Sequence, residues 1–473
     1  MRMLYGTTCK TGHMLEVMVT RHTSVMVIVL LIAGMFAGLL GEGCAATSRS
    51  TRVDSSAPAY VMSMANELKK QGITTQWTKP TDAGPTRTMS KPYQVFPTTY
   101  PATWTVKEIV HPGRGGYYGN VNQTGWVVAN DKNDCDWAAN TGTVWKQGHD
   151  HLDLYRVQNG TMVKVTALDG TQASSAFAYN TSYTLTDHYV IWVTYDTTSA
   201  LAKGSSSGKW QVVAYDLVAG RQLTVLGMND AAWGTPVTDA LPELCVLSDS
   251  TFGLLLMSKD IASGNMFSRL VLLDLGSHKN RVLASSPVGA PWAPWDMPVA
   301  AHGSIFVNQY PASGNDTLNA IVSISTADGT VTPLFSSPLR LTSGLGETLC
   351  LVRQTTEASD SATGSWSGVT DVWTYDCVRK ELICRFRVPG DDVTGGCKSA
   401  TAFAKGIAYS AFQTILQAYF YSYATKTICY TDEVIGSVFP PGTGLVLNKD
   451  QRAYFGDIPD KNVSGNLLVV EPQ

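Results

Sequence analysis

Residues 211 to 226 read QVVAYDLVAGRQLTVL, and the fold follows from how this stretch is read. Val212, Val213, Tyr215 and Leu217 give a short apolar, β-branched and aromatic run of the kind that fits a pleated, half-buried surface. A tight turn ends at Gly220, which suits it because a glycine takes positive φ without a Cβ clash. A second strand, Arg221 to Leu226, follows. The stretch is a hairpin.

Looser copies recur on both sides. They are LDLYRVQNGTMVKV from Leu152, LVLLDLGSHKNRVL from Leu270, AIVSISTADGTVTPL from Ala320, DVWTYDCVRKELICRF from Asp371 and AYFYSYATKTICY from Ala418. Aligned on Asp216, the equivalent positions are Arg156, Asp216, Asp274, Ser325, Asp376 and Ser422, at steps of 60, 58, 51, 51 and 46 residues. Further strand-like runs precede the hairpins, such as His188–Thr194, Thr251–Met257 and Ser304–Gln309. Four strands per repeat of this length is a propeller blade. The predicted fold is all-β: a β-propeller of seven four-stranded blades, with six or eight as alternatives. The chain ends on NLLVVEPQ from Asn466, a third strand with no fourth after it. An unpaired sheet edge is an aggregation hazard. ATWTVKEIV from Ala102 is predicted to fill it, closing the ring by pairing the two ends of the domain.

Through Tyr215-Asp216-Leu217-x-x-Gly220 and its copies, residues 101 to 473 resemble the exported bacterial propellers described as TolB-like. The motif describes a blade hairpin, so the resemblance implies a fold and an exported setting more than an activity.

The N-terminal part has a different character. Ser24–Leu40 carries no charge and follows Lys10, Arg21 and His22, the pattern of a signal peptide or signal anchor. Its 17 residues are at the short end of what spans a bilayer. Cys44 follows small residues, as at a bacterial lipoprotein cleavage site, although Gly41 stands where leucine is usual and Glu42 is atypical. The expected division is 1–44 signal peptide or membrane anchor, 45–100 a Ser/Thr/Pro-rich linker with a short helix near Tyr60–Gly72, and 101–473 the propeller. Lipidation at Cys44, an uncleaved anchor and plain secretion all put the propeller on the extracytoplasmic side of the cell membrane.

A formal net charge of -3 without a basic run speaks against nucleic acid as a partner, because phosphate neutralisation supplies most of that affinity. The nine cysteines form no CxxC pair, which removes zinc-ribbon and thioredoxin-type readings. Cys377 and Cys384 flank a predicted turn that would set them opposite each other.

Candidate chemistry is sparse. Gly204–Gly208 (GSSSG) fits the hydrolase elbow in letters only, since no helix follows it. Asn130–Trp137 is rich in oxygen ligands, which makes calcium the one alternative to having no cofactor, but it reads better as an Asx-rich turn. His149 and His151 lack a third partner for a metal, and no metal site is assigned. Trp233, Trp292 and Trp295 fall in stretches expected to link successive blades, where flat rings suit sugars or peptides; the alternative is that they cap the core between blades. Asp391 and Asp392 lie in the matching loop two blades on. No catalytic residue is assigned. The expected function is a membrane-anchored binding or scaffold module for an envelope protein, a peptide or a glycan. The alternative is a propeller enzyme of glycosidase, lactonase or lyase type, with acidic residues at the mouth of the central channel.

Overall fold

A computed structural model describes residues 51–83, 100, 102–113, 115–131, 152–168, 183–196, 209–228, 238, 240, 242–289, 295–310, 319–360, 365–392, 399–411, 417–431, 434–439, 443–449 and 465–471. Met1–Ser50 is a unit separate from Thr51–Gln473, and Cys44 and the apolar run lie outside the described residues. Among the described residues, no helix is long and apolar enough to cross a membrane.

The strands form seven sheets. Six are four-stranded, and the seventh holds the same antiparallel meander plus three short added strands. The first strand of each sheet lies against the first strand of the next, and that of the last against that of the first. The first strands therefore form an inner ring, and the sheets radiate from it as the blades of a β-propeller. In chain order the blades begin at Gly115, Tyr183, Glu243, Trp295, Arg340, Ser399 and Val434. Seven hydrophobic clusters hold the ring together, each packed chiefly between two adjacent blades. Large fully buried rings such as Trp192, Trp210, Phe252, Trp373 and Tyr409 fill them. Burying a large apolar side chain contributes about 1.5–3 kcal/mol.

Closure follows the expected scheme. Leu467–Glu471, the third strand of blade seven, pairs antiparallel with Thr105–Ile109, from Leu467 opposite Ile109 to Glu471 opposite Thr105.

The Tyr-Asp motif is a turn device. Asp216 Oδ1 accepts the backbone N–H of Val218 at 2.9 Å and of Ala219 at 2.8 Å. Asp376 does the same for Val378 at 3.0 Å and Arg379 at 2.8 Å. Asp274 takes the backbone N–H of Ser277 at 3.1 Å. A bulge recurs four residues before the turn in blades two to five, after Val212, Leu270, Ile321 and Val372. Bulges bend and twist a strand. In blade one the bulge follows Leu154, so the structural equivalent of Asp216 is Gln158. Arg156 is instead mid-strand opposite Val163, and the turn there is the two-residue Asn159-Gly160. Gly329, in the matching turn of blade four, has φ +76°, and a Cβ there would stand 2.0 Å from the Leu283 carbonyl oxygen of blade three. Gly220, at φ +64°, would bring a Cβ only into ordinary contact, 3.9 Å from the Tyr215 hydroxyl. Gly329→Ala is expected to lower the melting temperature clearly more than Gly220→Ala, whose cost is about 1 kcal/mol; equal shifts would mean that blades three and four do not meet there.

The expected linker is in part folded. Helix α1, Ala59–Lys70, buries Val61, Met64, Ala65 and Leu68, and Val61, Met64 and Leu68 join the cluster between blades four and five. Thr74–Trp77 then adds in parallel to the outer strand of blade five, with Thr74 opposite Glu381, and Thr81–Asp82 continues along Phe386–Arg387. Asp371, 1% exposed, fixes this segment. It accepts the Tyr60 hydroxyl at 2.5 Å and the Arg387 guanidinium at 2.8 and 3.2 Å. Arg387 lies over Trp77, and Arg353 over Tyr60. A Ser/Thr/Pro-rich composition hid the spacing of Val61, Met64 and Leu68, which is that of one helix face; Trp77, on the strand that follows, joins the same cluster.

The expected placement of Cys377 opposite Cys384 is not met. Cys377 lies in the turn, Cys384 is opposite Trp373, and both are free thiols.

Candidate functional site

In each antiparallel meander, the turns joining strands one to two and three to four lie at one end of the blade. The connections joining strands two to three, and one blade to the next, lie at the other. The expected ligand loops belong to this second end. Trp233 and Trp292 lie outside the described residues, as do His149, His151, Gly204–Gly208 and most of Asn130–Trp137. Asp391 and Asp392 close the outer strand of blade five, opposite Gly368 and Ser367, on the expected face.

Trp295 requires a correction. It opens the first strand of blade four and is 1% exposed, packed with Ile305, Leu270 and Leu283 between blades three and four. Its Nε1 donates to Gln309 Oε1 at 3.2 Å, and its backbone N–H and C=O are both held by the Ser268 hydroxyl. The ring has no face open to a ligand. It is the core cap that the alternative reading described.

Beside it the structure assembles a polar cluster on the first strands of three adjacent blades. Glu243 is the first residue of blade three, Asp296 the second of blade four and Arg340 the first of blade five. These are inner-ring positions at the end that carries the inter-blade connections, so the cluster stands at one mouth of the central channel. Asp296 Oδ2 accepts the Tyr310 hydroxyl at 2.7 Å and lies 3.4 Å from the Arg340 guanidinium. Asp296 Oδ1 is buried and has no hydrogen-bond partner among the described residues. Glu243 Oε2 accepts the backbone N–H of Met297 at 2.8 Å.

The local sequence makes this possible at a cost. Met297 adopts φ +52° at a bulge that skips from Asp296 to Val299. A non-glycine residue in the left-handed region costs roughly 1 kcal/mol or more, and such strain gathers at functional sites. Here the bulge turns the Met297 N–H toward Glu243.

Glu243 is exposed to solvent, yet the protein around it and the negative Asp296 push its carboxyl above the ordinary range, with the Met297 N–H and Arg340 opposing. Burial, then Asp296, raises the Tyr310 hydroxyl well above the usual phenol. A carboxyl raised on folding favours the native state while protonated, and that advantage fades as pH rises from the ordinary carboxyl value through the folded one. Glu243→Gln is therefore expected to raise the melting temperature at pH 7 and to leave it unchanged near pH 3. A variant less stable than wild type at pH 7 would contradict this electrostatic picture.

Sequence reasoning missed this cluster because its members span Glu243 to Arg340 and none sits in a motif. The available signal was positional: Glu243, Asp296 and Arg340 are each the first or second residue of a first strand, and Tyr310 follows a second strand. Among the described residues, no group of three or more His, Cys, Asp or Glu is placed to hold a metal ion.

No protein-family model matches the chain, and no curated protein does. Among solved structures it is similar to an oligogalacturonate lyase in complex with manganese, at 9% identity and TM-score 0.43, over 79% of this chain and 92% of that one. It is also similar to the oligogalacturonate lyase of Vibrio parahaemolyticus, at 8% identity and TM-score 0.41, over 77% and 91%. A third is the β-propeller domain of the Trilobed protease from Pyrococcus furiosus, at 11% identity and TM-score 0.36, over 58% and 78%. Likeness at this level bears on neither activity nor ligand.

Proposed function

We propose that the chain is an exported, membrane-anchored propeller of the TolB-like kind, held by lipid at Cys44 or by its apolar run. On this reading it works outside the cytoplasmic membrane as a binding or scaffold module for an envelope protein, a peptide or a glycan. The observation that carries the binding role is the cluster of Glu243, Asp296, Arg340 and Tyr310 at one channel mouth, with a buried carboxylate oxygen lacking a partner among the described residues. Convergent polar groups in a concave site are the general mark of a ligand site. The export part rests on Ser24–Leu40 and Cys44 alone.

One observation favours the enzyme reading as a second choice. A carboxyl with raised pKa beside another carboxyl is a common acid–base arrangement.

Photo-crosslinking in intact cells tests the binding role. Ile261 and Val218 are similarly exposed, at 73% and 76%. Ile261 follows strand two of blade three, on the mouth face, and Val218 sits in a three-to-four turn on the opposite face. A photo-reactive side chain at Ile261 is expected to capture a defined adduct that one at Val218 does not. No adduct, or the same adduct from both, would overturn the reading.

A further inference from the structure

Blade five differs from the others in strand length. Its second, third and fourth strands are Thr348–Asp360, Ser365–Asp376 and Glu381–Asp392, 13, 12 and 12 residues, whereas its first strand is only Arg340–Leu345. Pairing of the first strand with the second stops at Arg340 opposite Val352. Beyond that point Arg353–Asp360 continues, paired on one side with the third strand, to Asp360 opposite Ser365. At roughly 3.3 Å per residue this flap rises about 25 Å past the inner ring. It rises at the same end as Glu243, Asp296 and Asp391.

The two long edges of this sheet are treated differently. The outer edge, along Glu381–Arg387, is covered by Thr74–Gln76 and Thr81–Asp82. The inner edge, along Arg353–Asp360, has no strand on it among the described residues. It continues the line of the first strand and so faces the channel axis. An open edge is a template for another strand, and proteins commonly cover or blunt such edges with proline or lysine. Arg353–Asp360 reads RQTTEASD: it holds no proline or lysine, its charges are Arg353, Glu357 and Asp360, and a bulge interrupts it between Thr356 and Ala358. At the foot of this edge, Arg340 adjoins Asp296 and Tyr310, with Glu243 on the next blade beyond. That foot carries two carboxylates against one guanidinium, and the Asp296 Oδ1 atom is an acceptor without a donor among the described residues.

We infer that the inner edge of the blade-five flap is a strand-addition site for an extended peptide, with an ammonium group of that peptide received by Asp296 and Glu243 at the channel mouth. Main-chain hydrogen bonds to Arg353–Asp360 supply affinity, as in other cases of strand addition. The ammonium offsets the excess negative charge of Asp296 and Glu243 over Arg340. The inference rests on the proposed binding role and narrows it to one ligand class and one edge.

The test uses the full chain and a random heptapeptide library with free amino termini. A selected peptide is then measured in three forms: free, N-acetylated with any lysine acetylated as well, and as a series methylated at single backbone nitrogens. The expected result is at least a tenfold loss of affinity on acetylation. Losses along the methylated series should alternate with a period of two residues on each side of one break in phase, the signature of a strand paired on an edge that carries the Thr356–Ala358 bulge. Asp296→Asn is expected to weaken the free peptide tenfold and to leave the acetylated form unchanged. No enrichment, indifference to acetylation, or a methylation profile without alternation would each overturn the inference. A crosslinked partner at Ile261 together with any of those results would leave the binding role standing and remove only the peptide assignment.

Discussion

Asp371→Ala is expected to destabilise the protein by about 3 kcal/mol, read as a lower denaturation midpoint. Asp371 is 1% exposed and is the shared acceptor for Tyr60 and Arg387. Removing it strands a guanidinium and a hydroxyl in a packed seam. Breaking a buried pair by deleting one partner costs about 3–5 kcal/mol, and the low end applies because the Arg387 side chain keeps 27% of its exposure. Tyr60→Phe keeps the ring under Arg353 and loses one hydrogen bond, so its expected cost is nearer 1 kcal/mol. The larger variant should also make Thr51–Ala83 more susceptible to limited proteolysis, because Asp371 is the buried polar tie of that segment to blade five, beside the apolar helix face and the added strands. A loss below 1 kcal/mol with unchanged proteolysis would show that Asp371 is not what fixes the segment.

The second large effect is at the closure. Val469→Asp is expected to cost about 4 kcal/mol or more and to shift much of the protein into aggregates on size exclusion. Val469 is 4% exposed and packs with Ile109, Val121, Val127 and Val446, so it belongs to the core joining the last blade to the first. Lys107, opposite Val469, is exposed and compensates a carboxylate there only in part, and burying a charge among apolar side chains is among the costliest substitutions. Because Leu467–Glu471 pairs on both sides, its failure exposes the edges of Gly444–Asn448 and Thr105–Ile109 together. A soluble monomer with wild-type melting would contradict this.

The hairpins were legible because alternation and turn chemistry are local. Tyr215-Asp216-Leu217 announces a strand end through residues that interact only with their neighbours. The closure was legible because the strand-like run ATWTVKEIV precedes the first hairpin repeat and belongs to no blade of its own. What was not legible is long-range. Arg156 was aligned on apolar pattern, but the Asn159-Gly160 turn shortens that hairpin and moves the equivalent position to Gln158. Trp295 sits in a proline-rich stretch that reads as loop, and its burial depends on Leu270 and Leu283 of the preceding blade. The docked segment Thr51–Ala83 has the composition of a linker, and only the blade-five outer edge reveals its use. The mouth cluster exists because Glu243, Asp296 and Arg340 occupy matching ends of three inner strands, a relation that no spacing along the chain encodes.

The most direct test of the ring is a disulfide across its closure. Thr105 and Glu471 are paired residues near the two ends of the described propeller, 366 positions apart in sequence. The double variant Thr105→Cys, Glu471→Cys, oxidised as a dilute monomer, is expected to give an intramolecular 105–471 cross-link by peptide mass spectrometry and a higher melting temperature than its reduced form. No such cross-link, or one formed only between separate copies of the chain, would contradict a ring closed by its own two ends.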